Sequence, residues 1–113
     1  MKIVLVGASK NEDKFGNIIM KDLLYRGHTV IPVNPKENEI EGIKAYKDLG
    51  EIKEDFDIIN IVTPPKVTLN ILKQANMLGY KKVWCQPGSS NREVKDYLVK
   101  NGFDYIADAC IMM

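Results

Sequence analysis

Lys2-Ile3-Val4-Leu5-Val6-Gly7-Ala8-Ser9, close to the start of the chain, decides the fold. Lys2 to Val6 is short, rich in β-branched residues and apolar on both alternating faces. That is the pattern of a strand buried in a parallel sheet, not of one with a solvated side. Gly7 ends it. A polar loop, Ala8 to Lys14, follows, and then Phe15, Ile18, Ile19 and Leu23 recur at helical spacing. Gly27 closes this helix, because glycine takes the left-handed conformation of a helix end without steric cost.

The same unit repeats along the chain. His28 to Val33, Asp57 to Val62, Lys82 to Cys85 and Phe103 to Ala107 read as further strands. Pro64-Pro65 opens a helix, since the first helical turn needs no amide donors. Val67, Ile71, Ala75 and Leu78 line one face of that helix, and Gly79 ends it. Ser90 and Glu93 have the spacing of a capping box and start a helix that carries Val94 and Leu98 and stops near Gly102. Helices that end in glycine and lead directly into strands demand parallel pairing with right-handed crossovers. The expected architecture is therefore α/β, a doubly wound sheet of five parallel strands between two helical layers. Asn38 to Ile52 breaks the rhythm, and Tyr46 to Leu49 is expected to form only a short helix. Pro32 deletes a ladder donor inside the second strand. This topology places that strand away from an edge, so poor pairing near its C-terminal end is expected.

The 113 residues suit a single domain. Their 45% hydrophobic and 27% charged content is that of an ordinary globule. Sixteen basic and fifteen acidic residues leave a formal charge of +1. Residues 36–57 are mainly acidic and 64–102 mainly basic, but the bases are scattered over helices without interleaved aromatics. No nucleic-acid partner is expected from that pattern. Ile3 to Val6 is far short of a bilayer span. No signal segment precedes it, so a cytoplasmic protein with no membrane partner is expected. Cys85 and Cys110 are too few and too widely spaced for a disulfide scaffold or a zinc site, and no metal is expected.

In an open parallel sheet, ligands bind beyond the C-terminal ends of the strands, where strand order reverses. The residues at those ends are Gly7-Ala8-Ser9-Lys10, Asn34-Pro35-Lys36, Thr63-Pro64-Pro65, Gln86-Pro87-Gly88 and Asp108-Ala109-Cys110. Gly7 marks a sharp turn and Gly16 lies near the helix start, close to Lys14. Free amides there suit an anion such as a pyrophosphate. Where NAD enzymes carry an acid for the ribose hydroxyls, this chain has Asn34-Pro35-Lys36. A lysine at that position favours a ribose bearing an additional phosphate, as in NADP or coenzyme A. No catalytic residue is evident. His28 sits on the starting side of its strand, opposite the ligand edge, and two inert thiols are the expectation for Cys85 and Cys110. Met112 and Met113 make an apolar tail, for which packing, a homodimer contact and a frayed end all remain open.

Val6-Gly7-Ala8-Ser9, Val30 to Lys36, Ile40-Glu41-Gly42, Val83 to Gly88 and Asp108-Ala109-Cys110 together resemble the stand-alone CoA-binding proteins. These are similar to the CoA-binding domain of the succinyl-CoA synthetase α subunit. The resemblance covers residues 2–112. It implies a Rossmann-type domain with strand order 3-2-1-4-5 that holds coenzyme A or an acyl-CoA. By position, Gly7 to Lys10 would contact the pyrophosphate. Lys36 would face the phosphorylated ribose, with Asn34 and Pro35 shaping its turn. Thr63 and Pro64 would line the path beyond the third strand. Lys14, Gly16 and Gln86 complete the candidate binding set. The synthetases also need a phosphorylatable histidine on a second domain, and this chain has neither. That departure argues against unaided covalent chemistry and leaves one part of a split acyl-CoA synthetase as an alternative. Asp57 to Pro65 is also similar to a stretch of nicotinamide-dependent oxidoreductases of the glucose-fructose oxidoreductase type, which makes NADP the alternative cofactor. Those enzymes follow it with a Lys-Pro pair whose lysine is catalytic; here the pair is Gln86-Pro87.

Overall fold

The computed structural model describes residues 1–113. In chain order the elements are β1 (Lys2–Val6), α1 (Phe15–Tyr25), β2 (Thr29–Val33), β3 (Glu39–Ile40), β4 (Ile43–Lys44), a 3₁₀ turn (Leu49–Glu51), β5 (Ile58–Ile61), α2 (Pro65–Leu78), β6 (Lys82–Cys85), α3 (Arg92–Lys100) and β7 (Asp104–Ala107). Five of the strands form one sheet in the order β2-β1-β5-β6-β7, every pair parallel. The β3–β4 hairpin stands apart. No helix is long and apolar enough to cross a membrane.

Alternation along β1 divides the core. Val4 and Val6 face Leu72 and Ala75 of α2 and Val94 and Leu98 of α3. Ile3 and Leu5 face Ile19, Met20 and Leu23 of α1. The result is the expected three layers. A fully buried leucine such as Leu72 or Leu98 contributes about 1.5–3 kcal/mol relative to an exposed one. Gly27, Gly79 and Gly102 follow the three helices at φ 89°, 84° and 68°, and each is succeeded within a few residues by a strand.

The α/β class stands, but the strand order differs from 3-2-1-4-5. Counted along the chain, the five sheet strands run 2-1-3-4-5, the other common doubly wound arrangement. The order 3-2-1-4-5 places the third strand, Asp57 to Val62, outside β2. It lies instead against β1 as β5, and the outer side of β2 pairs only with Tyr46, which bridges Val33. The polar, glycine-interrupted segment before Tyr46 folds into the β3–β4 hairpin. Pro32 is explained by the same fact. It lies on an edge strand, its carbonyl accepting from the Tyr46 amide at 2.9 Å, so its missing donor faces outward. Pairing of β1 with β2 continues through Val6 and Val33, and the expected weakness there is absent.

The helix faces are also rotated from the expected ones. Phe15, Ile18, Val67 and Leu78 are exposed, while Asn17, Met20, Thr68 and Leu72 are buried. Ser90 is not the cap of α3. Asn91 is, its side chain accepting from the Val94 amide at 2.9 Å.

Candidate binding site at the sheet edge

Strand order reverses between the parallel neighbours β1 and β5, and the loops after them meet at their C-terminal ends. Gly7 (φ 100°) lies against the Val62 carbonyl, where a Cβ would sit at 2.7 Å. A Cβ on Gly16 would fall 2.0 Å from the Gly7 carbonyl oxygen. Both positions therefore admit only glycine if α1 is to start this close to the sheet. The helix begins at Lys14 with no side-chain cap and no acid in its first turn. The amides of Ser9, Lys10, Phe15 and Gly16 have no acceptor within the protein.

Two asparagines brace this loop from behind. Asn34, at the end of β2, donates to the Ala8 carbonyl at 2.8 Å, and its Oδ1 accepts from the Lys36 amide at 2.8 Å. One side chain thus shapes both the glycine loop and the turn that presents Lys36. Asn17, buried in α1, donates to the Ser9 carbonyl at 2.8 Å and to Glu41 at 3.1 Å. Around the loop, Lys10 pairs with Glu37 at 3.1 Å, while Lys14 and Lys36 are exposed and have no carboxylate partner. Pro35 is exposed beside Lys36.

Two crevices flank Thr63. One of about 170 Å³ is lined by Gly7, Val33, Pro35, Leu49, Thr63 and Val67. The other, of about 340 Å³, is lined by Phe15, Thr63, Pro64, Pro87, Gly88 and Ser89. The Thr63 hydroxyl meets that of Thr68 at 2.8 Å. Gly7, Ala8, Ser9, Lys10, Lys14, Gly16, Asn34, Pro35, Lys36, Thr63 and Pro64 all gather at this edge. Gln86 has a different task. It is fully buried, its Oε1 accepting from Asn60 Nδ2 (3.1 Å) and the Ile111 amide (2.9 Å), its Nε2 donating to Cys110 Sγ (3.2 Å). Its amide anchors the C-terminal segment and leaves Pro87 and Gly88 as the exposed residues of that loop.

Cys85 and Cys110 are both free thiols. Burial pushes the Cys85 thiol up to about 11, so it stays protonated and unreactive at neutral pH. His28 lies at the opposite end of the strands with its Nδ1 3.3 Å from the Met1 amine. A cavity of about 460 Å³ opens at that end, between Met1, Ile58 and Trp84, far from the glycine loop. Asn17 and Asn60 escaped the sequence reading. Their signal was a polar residue inside an apolar run, Gly16-Asn17-Ile18-Ile19 and Ile58-Ile59-Asn60-Ile61, where desolvation requires a specific partner.

A family model described as CoA binding domain matches residues 1–113. An ADP-forming acetate–CoA ligase of Methanocaldococcus jannaschii is 38% identical over 106 residues, 93% of this chain but 15% of the ligase. The α subunit of an ADP-forming acetate–CoA ligase II of Pyrococcus furiosus is 39% identical over 82 residues, 72% of this chain and 18% of the subunit. The chain therefore spans less than a fifth of either ligase. Among solved structures, a conserved hypothetical protein from Pyrococcus furiosus superposes with a TM-score of 0.95. It is 51% identical, over 98% of this chain and 96% of that one.

Proposed function

The chain belongs to the CoA binding domain family, and from that premise we propose that it holds coenzyme A or an acyl-CoA at the C-terminal edge of its sheet. The pyrophosphate lies on the free amides of Ser9, Lys10 and the α1 N-terminus, where backbone donors and helix dipole act together. The adenosine occupies the crevice of Val33, Pro35 and Leu49, with its 3′-phosphate toward Lys36. The pantetheine arm passes Thr63 and Pro64 into the crevice beside Phe15 and Pro87. The observation that carries this reading is the row of unbonded amides at the point where strand order reverses.

NADP has lost its support: the family is one of CoA binding, and both relatives named above are acetate–CoA ligases by name. For thioester chemistry the chain needs groups supplied by another protein. Support comes from the unreactive Cys85 thiol and from His28, which lies at the far end of the strands. The likeness to a separate ligase α subunit favours a split acyl-CoA synthetase as the setting. Calorimetry with CoA, dephospho-CoA, NADP and NAD tests the site. CoA is expected to bind tightest and dephospho-CoA more weakly; NADP binding with no heat from CoA would overturn the reading. Incubation of the pure protein with acyl-CoA is expected to leave the thioester intact.

A further inference from the structure

A trans peptide points its carbonyl and its N–H in opposite directions, and this chain has no cis peptide. Holding a carbonyl therefore aims the amide on the same peptide. Asn34 holds the Ala8 carbonyl and so turns the Ser9 N–H the other way. Asn17 holds the Ser9 carbonyl and does the same for the Lys10 N–H. Neither N–H meets an acceptor in the protein. Two consecutive donors are thus fixed facing away from their braces, the arrangement that forms an anion-binding concavity.

Asn17 is an expensive way to pack a helix. It is 1% exposed, a position where an apolar side chain needs no partner and an amide does, and asparagine is a poor helix former. Its amide nitrogen has two hydrogens, and both are used: one on Ser9, the other on Glu41 Oε2 at 3.1 Å. Glu41 stands at the turn of the β3–β4 hairpin with φ 51°, a conformation that non-glycine residues rarely adopt. The carboxylate fixes the amide rotamer from the far side, so the brace has a backstop.

We propose that Asn17, backed by Glu41, is a positioning residue for anion recognition, holding the Ser9–Lys10 peptide so that the Lys10 N–H meets the ligand's pyrophosphate. The proposal rests on the reading of this edge as the CoA site. Titration of the ¹⁵N-labelled full chain with CoA, followed by NMR and calorimetry, tests it. In the unmodified protein the Ser9 and Lys10 amides both move on binding. In Asn17→Ala the Lys10 shift is lost while that of Ser9, still braced by Asn34, persists, and affinity falls about tenfold. Asn17→Leu keeps most of the buried volume but has no hydrogen to donate to the Ser9 carbonyl. It is expected to repeat the selective loss, and it decides the matter if Asn17→Ala folds poorly. A Lys10 shift and an affinity unchanged in both variants would overturn the role of Asn17 alone. An unmodified protein that takes up no CoA would overturn the site itself.

Discussion

α1 and α3 start at the same edge of the sheet, each after a glycine-containing loop, and their N-termini are built in opposite ways. Asn91 caps α3 by accepting from the Val94 amide, Glu93 lies in its first turn, and Asp108 nearby takes hydrogen bonds from Ser90 and Lys95. The positive end of that helix is already answered by the protein's own oxygens. α1 has no side-chain cap and no acid in its first turn. Asn17 and Asn34 donate to carbonyls of its loop, and the amides of Ser9, Lys10, Phe15 and Gly16 stay free. The lesson is that a binding loop is distinguished from a structural one by which backbone groups the side chains leave unanswered. Glycine content alone does not separate them.

Substitutions on the two sides should separate cleanly. Gly16→Ala should be the most damaging, because its Cβ would meet backbone at 2.0 Å and α1 must shift away from the sheet. A loss of about 3 kcal/mol in denaturant unfolding is expected, with CoA binding abolished. Gly88→Ala, at φ 87° with open space around its Cβ, should cost only about 1 kcal/mol.

Lys36→Ala comes next. It should weaken CoA by about ten- to a hundred-fold, toward the lower end because the lysine is exposed. Dephospho-CoA should hardly respond in parallel calorimetry; equal losses for both would return Lys36 to a turn-forming role. Asn91→Ala sharpens the contrast from the other side. Thermal unfolding should register a loss of about 1 kcal/mol, with CoA affinity unchanged.

Glu37→Gln releases Lys10 from its ion pair and should tighten CoA a few-fold. Its stability cost should be below about 1 kcal/mol, as for other exposed pairs. The smallest effect concerns Asp108, whose carboxyl is held below its ordinary value of 3.8 chiefly by the Lys95 hydrogen bond. A depressed carboxyl contributes stability above its unfolded value and loses it as pH falls through the folded one. The stability difference between the protein and Asp108→Asn should therefore be flat from neutrality down to about pH 4, close below that, and shrink with salt.

Much of the candidate site was legible because it is local. Gly7, Gly16 and the Asn34-Pro35-Lys36 turn announce themselves by what a strand end and a helix start require. Gln86 was misplaced because its position at the end of β6 says nothing about which way an amide turns. It turns inward, to Asn60 and Ile111. Asn17 was missed because its partners, the Ser9 carbonyl and Glu41, lie 8 and 24 residues away.

The sequence by itself determined the elements and their parallel pairing. Apolar alternation, helical spacing and helix-ending glycines are short-range requirements that a strand or helix meets within its own residues. Tertiary structure alone decided the order of the strands, the edge position that makes Pro32 harmless, and the direction of each free amide. Those depend on Tyr46 reaching Val33, Asn34 reaching Ala8 and Asn17 reaching Glu41. Hydrogen bonds between groups so distant along the chain form only once the layers pack, because packing excludes the water that would otherwise satisfy them.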